Sequence, residues 1–70
     1  MQIEYFPDTD TLAVVLRTAE SADAAEVAPD VVLDYDAPGD VIGVTIEHAS
    51  QHADLGSISL SQIPALASAA

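Results

Sequence analysis

A β-hairpin pattern between Asp30 and Ser50 limits the folds open to this chain more than any other stretch. The segment Ala37-Pro38-Gly39-Asp40 interrupts it. The alternating positions of one face are Val31, Leu33 and Tyr35 before this turn and Ile42, Val44 and Ile46 after it. Period-two alternation of β-branched and aromatic residues on both sides of a Pro-Gly turn predicts two antiparallel strands.

The first seventeen residues predict a second hairpin. Ile3 and Tyr5 alternate with polar residues, and Pro7-Asp8-Thr9-Asp10 supplies turn-forming side chains. The strand that follows, Thr11 to Arg17, is apolar on both faces, with Leu12, Val14 and Leu16 on one and Ala13 and Val15 on the other. Since a half-solvated strand would be polar on one face, we expect a central strand whose Ala13/Val15 face is covered by another subunit.

The remaining segments predict less regular structure. Residues 18–28 predict a surface connection with one helical turn near Ala22–Ala25 and an extended segment at Glu26-Val27 before Pro29, and residues 47–54 predict a short helix. Residues 57–60 predict an edge strand or an extended tail, and residues 61–68 a helical turn with Pro64 near its start. The expected fold is therefore α+β: two β-hairpins forming a four-stranded antiparallel sheet, with one or two short C-terminal helices.

The chain length indicates a single domain over residues 1–70 whose stability as a monomer is marginal. The chain contains no cysteine, so neither disulfides nor thiolate metal sites can reinforce it, and oligomerisation, as a homodimer, is the expected alternative. No stretch approaches the roughly 20 apolar residues of a membrane helix, and the N-terminus lacks the positive region of a signal peptide. We expect a cytoplasmic protein without a membrane partner.

The charge balance is strongly acidic, because 12 acidic residues accompany a single basic side chain, Arg17. The formal net charge of -11 disfavours nucleic acid, since phosphate binding rests on Lys and Arg. Such a surface suits a basic protein partner. Adaptation to a salty, halophilic cytosol explains the same composition, because salt screens the self-repulsion of an acidic surface.

Three turn aspartates, Asp34, Asp36 and Asp40, make a weak candidate cation site, because hard cations prefer several oxygen ligands. The spacing fails an EF-hand loop: Pro38 stands where an oxygen ligand belongs, and no glutamate occupies the twelfth position. Solvated turn aspartates are the expected interpretation.

His48 and His52 are four residues apart, so a helix would place both imidazoles on one side, with Glu47 or Asp54 as a third ligand of a zinc or nickel ion. The ordinary alternative is a pair of exposed or partner-contacting histidines. With Ser50 they also provide the residue types of a hydrolytic triad, but no GxSxG elbow is present. We therefore expect no catalytic residue and no cofactor.

Two further residues carry structural expectations. Gly43 lies inside a predicted strand and indicates a β-bulge or a close approach by another group. Arg17 ends the second strand, and its expected partner is a carboxylate such as Glu4 or Glu47.

Several segments resemble one family of short prokaryotic proteins. They are Ile3-x-Tyr5 leading into Leu12-x-Val14, the VxLDYD segment at Val31–Asp36, GDVIGVTIE at Gly39–Glu47, and Ala49-Ser50. Together they are similar to domain-of-unknown-function family twenty-two eighty-three. The resemblance covers residues 1–55 as a hairpin core, and residues 56–70 form an extension that departs from the shortest members. It implies no established activity, although some members resemble the antitoxin half of a pair encoded beside a small basic protein.

The sequence thus favours a non-enzymatic, acidic protein-interaction module, with a basic protein as its partner in an antitoxin-like role. One alternative is a structural homo-oligomer with a salt-adapted acidic surface. Another is a small metal-binding protein or enzyme that uses His48 and His52.

Overall fold

The computed structural model describes residues 1–62 and residue 64. Within them lies one five-stranded antiparallel sheet. Its strands are β1 (Gln2–Phe6), β2 (Thr11–Val15), β3 (Asp23–Ala28), β4 (Val31–Tyr35) and β5 (Val41–Ile46).

Both predicted hairpins are present in the structure. β1 pairs with β2 across the turn of residues 7–10, and β4 pairs with β5 across the turn of residues 36–40. The spatial order is β1-β2-β5-β4-β3, so β2 has a neighbour on each side, as predicted for an interior strand. The middle of the sheet, however, belongs to β5, which joins the two hairpins by pairing with β2.

The predicted helical turn near Ala22–Ala25 is wrong, because residues 23–28 form the edge strand β3, which includes the extended segment predicted at Glu26-Val27. The sequence DAAEVA has the low β-propensity of alanine, which favoured a helical turn near Ala22–Ala25. Pairing with β4 decides the outcome: Ala24 lies opposite Asp34 and Ala25 opposite Leu33. The sheet therefore has five strands rather than the predicted four.

The predicted α+β class is also wrong, because up to Gln62 the structure contains one 3-10 turn, Ala49–Gln51, and no α-helix. A helix over residues 47–54 does not form, since His48 adopts a left-handed conformation with φ of 51° just before that turn. Residues 57–60 form no strand. The predicted helical turn over residues 61–68 falls mostly on residues 63 and 65–68, outside the described residues.

Gly43 shows both features that its place in a strand predicted. The β4–β5 register shifts beside it, since Asp34 pairs with Gly43 but Tyr35 pairs with Val41. A Cβ atom added to Gly43 would lie 3.3 Å from the carbonyl oxygen of Val14 and 3.4 Å from Oδ2 of Asp34. Gly43 thus lies beside a bulge and in close contact with the backbone of β2 and the side chain of Asp34.

Cross-strand partners share a face, so the register assigns the strand residues to two faces. We call one the apolar face; its two rows are Ile3, Val14, Val44, Leu33 and Ala25, and Tyr5, Leu12, Ile46, Val31 and Ala28. We call the other the acidic face; its two rows are Glu4, Ala13, Thr45, Val32 and Glu26, and Gln2, Val15, Gly43, Asp34 and Ala24.

The core of the described chain is thin. Among its apolar residues only Ile42 and Ala49 are buried, at 5% and 0% exposure, and no large side chain in residues 1–62 is fully buried. Among residues 1–62 no α-helix packs on the sheet, so these residues leave both of its faces partly exposed. In the part of the chain that the structure describes, no helix is long and apolar enough to cross a membrane.

Candidate functional site

The acidic face carries three of the four acidic residues that lie within strands: Glu4, Glu26 and Asp34. Glu4 and Glu26 belong to the same cross-strand row, at the two opposite edges of the sheet. Adjacent strands lie about 4.8 Å apart, so these two glutamates stand about 19 Å from each other. Between them the row holds only smaller side chains.

A concave region of about 450 Å³ occupies part of this face. Its floor includes three small residues of the central strands, Ala13, Gly43 and Thr45. Asp34 also lines it. Residues 17–19 and 21, from the connection between β2 and β3, provide a wall. The region therefore combines room for an incoming side chain with a negative charge.

Arg17, the single strong cation of the chain, is already paired. Its guanidinium donates to Oδ2 of Asp36 and lies 3.5 Å from Oδ2 of Asp40, so the expected partners Glu4 and Glu47 were wrong. The short β4–β5 turn brings both aspartates to Arg17, at the end of β2. Arg17 also lines the concave region, but its guanidinium is paired with Asp36 and Asp40. None of its described ion pairs is with Asp34, so they do not neutralise the Asp34 carboxylate.

Asp36, a candidate cation ligand, instead organises its own turn. It is 8% exposed, and Oδ1 accepts backbone N–H bonds from Gly39 at 3.1 Å and Asp40 at 2.8 Å. Burial alone would raise the pKa of the Asp36 carboxyl, but the bonds from Asp40, Arg17 and Gly39 outweigh it and hold that pKa below its ordinary value. Asp36 and Asp34, the other candidate, thus have different roles.

A second cluster lies at the opposite end of β5, where Asp10 binds the chain that follows this strand. Oδ2 of Asp10 accepts the Ser50 hydroxyl at 2.7 Å, and Oδ1 accepts the Ser50 N–H at 3.1 Å and the Tyr5 hydroxyl at 2.7 Å. The Asp10 carbonyl also accepts the N–H of Ala49 at 2.8 Å. Hydrogen bonds from Ser50 and then Tyr5 hold the pKa of Asp10 below its ordinary value, and the bond to Asp10 raises that of Tyr5.

Asp30 plays the matching role in the turn between β3 and β4. Its carbonyl accepts the N–H of Glu47 at 2.8 Å. Oδ2 lies 3.0 Å from Nε2 of His52 and 3.2 Å from Nδ1 of His48, and these contacts, His52 first, hold the pKa of Asp30 below its ordinary value. Asp10 and Asp30 both adopt positive φ, 54° and 66°. Two hairpin turns thus hold residues 47–52 from either side.

The structure brings His48 and His52 together, but through Asp30 rather than on the face of a helix. Across the described part of the chain, no group of three or more His, Cys, Asp or Glu residues is arranged to hold a metal ion. Ser50 bonds to Asp10 and both histidines contact Asp30, so the described contacts do not assemble a Ser-His pair. The contacts of Asp10 and Asp30 instead hold residues 47–52, which follow β5, in place.

The sequence interpretation missed Asp10 and Asp30 as organising residues. Each directly precedes a strand in a turn that contains proline, and aspartate tolerates the left-handed conformation better than most residues do. That pattern was readable, but the partners were not, because Ser50 is 40 residues away from Asp10.

The comparisons with known proteins identify a family and no function. The sequence model described as "Protein of unknown function (DUF2283)" matches residues 2–50, which include all five strands. No curated protein and no solved structure matches the chain.

Proposed function

Since the chain belongs to the DUF2283 family, whose function is unknown, we propose from its own geometry that it is a non-enzymatic interaction module whose acidic face binds a basic segment of a partner protein. The observation that carries this proposal is the placement of Glu4, Glu26 and Asp34 on one face around small side chains. Complementary charge gives such a surface its specificity and speeds association.

An amphipathic basic helix is the segment that fits this face best. A helix with its side chains is about 10–12 Å wide and can lie between Glu4 and Glu26, which stand about 19 Å apart. Its small or apolar side would rest on Ala13, Thr45 and Val32, while flanking Lys or Arg side chains reach the glutamates. One further basic side chain would enter the concave region toward Asp34.

A purely salt-adapted surface explains this pattern less well. It accounts for acidic residues on a solvent-exposed face, but not for a concave region of about 450 Å³ that places Asp34 beside the small residues Ala13, Gly43 and Thr45. A specific basic partner requires such a region, because it gives an incoming side chain both room and an opposite charge. A neutralising, antitoxin-like role toward a small basic protein is one form of this proposal.

The test is an NMR titration of the labelled full chain with an amphipathic peptide of about 18 residues made of Leu, Ala and Lys. Amide shifts are expected to concentrate on Ala13, Val32 and Thr45. Asp34→Asn should weaken binding about tenfold, because a charge pair at the centre of the site is lost. Asp8→Asn, the same charge change in the β1–β2 turn, should change it less than about twofold.

A control peptide with Glu in place of Lys should not bind, because it reverses the charge of the probe. Equal losses for Asp34→Asn and Asp8→Asn, or shifts concentrated on the apolar face, would contradict the proposal. In cell extracts, the proposal also predicts a basic protein that co-purifies at low salt and is released near 1 M salt, where the screening length is about 3 Å.

A further inference from the structure

The apolar face is only partly covered by residues 1–62. Four of its apolar side chains, two on β4 and two on the central strand β5, are only half-buried: Val31, Leu33, Val44 and Ile46. Toward β1 the face becomes more open, with Ile3 at 44% and Tyr5 at 40% exposure. Contiguous exposed apolar area of this kind marks an interaction surface.

The segment after the 3-10 turn covers only one side of this face. Ala53, Leu55 and Ile58 line a cavity of about 290 Å³ over Leu12 and Val14. Ile58 and Leu60 themselves stay 71% and 63% exposed. The described part of this segment therefore adds apolar surface instead of closing the face.

The described chain is a wide, single layer. It measures 36 by 34 Å in its two larger dimensions and 19 Å in the third, and up to Gln62 it contains no α-helix that could form a second layer on the sheet. A second sheet can supply that layer, because two sheets pack face to face about 10 Å apart.

Charge decides which face can meet another copy of such an acidic chain. Two copies carry -11 each, and the acidic face would bring Glu4, Glu26 and Asp34 against their equivalents. Like charges brought together in this way cost several kcal/mol. The apolar face has one strand acid, Asp23, on the edge strand β3, so its centre can be desolvated without burying a carboxylate.

We propose that a second copy of this chain covers the apolar face, so that two sheets pack face to face about 10 Å apart with a core between them. This moves the contact from the Ala13/Val15 side of β2, where the sequence pattern placed it, to the Leu12/Val14 side. The inference is independent of the partner proposed above. It leaves both acidic faces outward, so each dimer presents two of them.

The test is the mass of the full chain by sedimentation equilibrium in 0.1 M and 1 M salt, together with a matched pair of variants. A dimer has twice the 7.2 kDa of one chain. Leu33→Glu should raise the dimer dissociation constant by at least about tenfold, because it buries an unpaired charge. Val15→Glu, which puts the same residue on the acidic face at a position that is 39% exposed, should alter it by less than about threefold.

Isotope-filtered NOE spectra of a dimer mixed from labelled and unlabelled chains identify the face even if Leu33→Glu fails to fold. Intermolecular contacts from the methyl groups of Leu33 and Val44 are expected. A monomer at all concentrations would overturn the proposal. Intermolecular contacts from Val15 and Val32 instead would overturn it in favour of the opposite face.

Discussion

Gly43 gives the acidic face its shape, since the missing side chain leaves room for the carboxylate of Asp34. The neighbour on its other side, the carbonyl of Val14, belongs to the backbone of β2 and cannot move without disturbing the β2–β5 ladder. Any side chain at this position must therefore displace either the Asp34 carboxylate or the backbone of β2.

We expect Gly43→Ala to lower the free energy of unfolding by about 1–3 kcal/mol, the usual cost of inserting a methyl group into a tightly packed position. Urea unfolding of the two proteins measures the difference. Gly56→Ala is the matched control, because its added Cβ would lie at an ordinary 3.6 Å from Oδ1 of Asp54, and it should change stability by less than about 0.5 kcal/mol. Equal effects of the two substitutions would show that Gly43 is not tightly packed.

The segment of residues 47–52 shows how an element can be ordered by its neighbours instead of by its own propensity. A three-residue 3-10 turn has little stability alone, but backbone and side-chain atoms of Asp10 and Asp30 bind it from two directions. Both aspartates act as carboxylates, which makes the order of this segment dependent on pH.

We expect the stabilisation from Asp10 to be complete at neutral pH and to disappear in acid. Its folded pKa is below the unfolded value of about 3.9, so the unfolded chain binds the proton first and stability falls as pH drops through the folded pKa. Asp10→Asn should therefore be less stable than the natural protein at pH 7, with a gap that narrows below about pH 4.

Urea unfolding of both proteins between about pH 7 and pH 2.5 checks this expectation. Asp8→Asn makes the same change of charge two residues earlier and supplies the baseline for net-charge effects. A gap between Asp10→Asn and the natural protein that stays constant with pH would mean that ionisation of Asp10 does not stabilise the folded state.

At this scale the sequence predicted what depended on local pattern. The hairpins β1–β2 and β4–β5 were readable because alternation and turn residues lie within one short stretch of chain. Strand β3 was not, because its alanines favour helix and only the edge of β4 makes them extended. The helix predicted over residues 47–54 failed for the same reason, since contacts with distant turns outweigh local propensity.

At the candidate sites, too, the sequence showed the residue types but not the contacts between distant residues. The sequence placed His48 and His52 on one side only through a helix that does not form, and Asp30, which brings them together, belongs to a turn that precedes β4. Asp34 and Asp36 looked equivalent in sequence, and only the register and the position of Arg17 separate an outward-facing carboxylate from a buried one. Side-chain type was visible in the sequence, whereas the contacts between distant residues were not.

On the scale of the whole molecule, repulsion among acidic side chains opposes folding. A net charge of -11 is carried by a small chain whose described part measures 36 by 34 by 19 Å, and salt screens the repulsion between neighbouring acids over about 8 Å at physiological ionic strength. Such repulsion destabilises the compact state at low salt.

We therefore expect the melting temperature to rise by about 5 °C or more between 0.05 M and 1 M sodium chloride, which corresponds to about 1 kcal/mol for a domain of this size. Circular dichroism at fixed protein concentration measures it. A variant that neutralises three exposed acids, Asp8→Asn, Glu20→Gln and Glu47→Gln, should show a shallower rise. The same slope in both proteins would mean that salt acts by a route other than charge screening.

The position of β5 also determines the order in which the fold can assemble. The last strand of the described residues is the middle strand in space, and its ladder with β2 joins residues about thirty positions apart, such as Val14 and Val44. While the chain is being synthesised, β1–β2 and β3–β4 can pair locally, but two-stranded hairpins are marginal on their own. Until β5 has emerged from the ribosome through Ile46, β2 and β4 each present an unpaired edge. The nascent chain is therefore most exposed to aggregation just before β5 pairs with both strands.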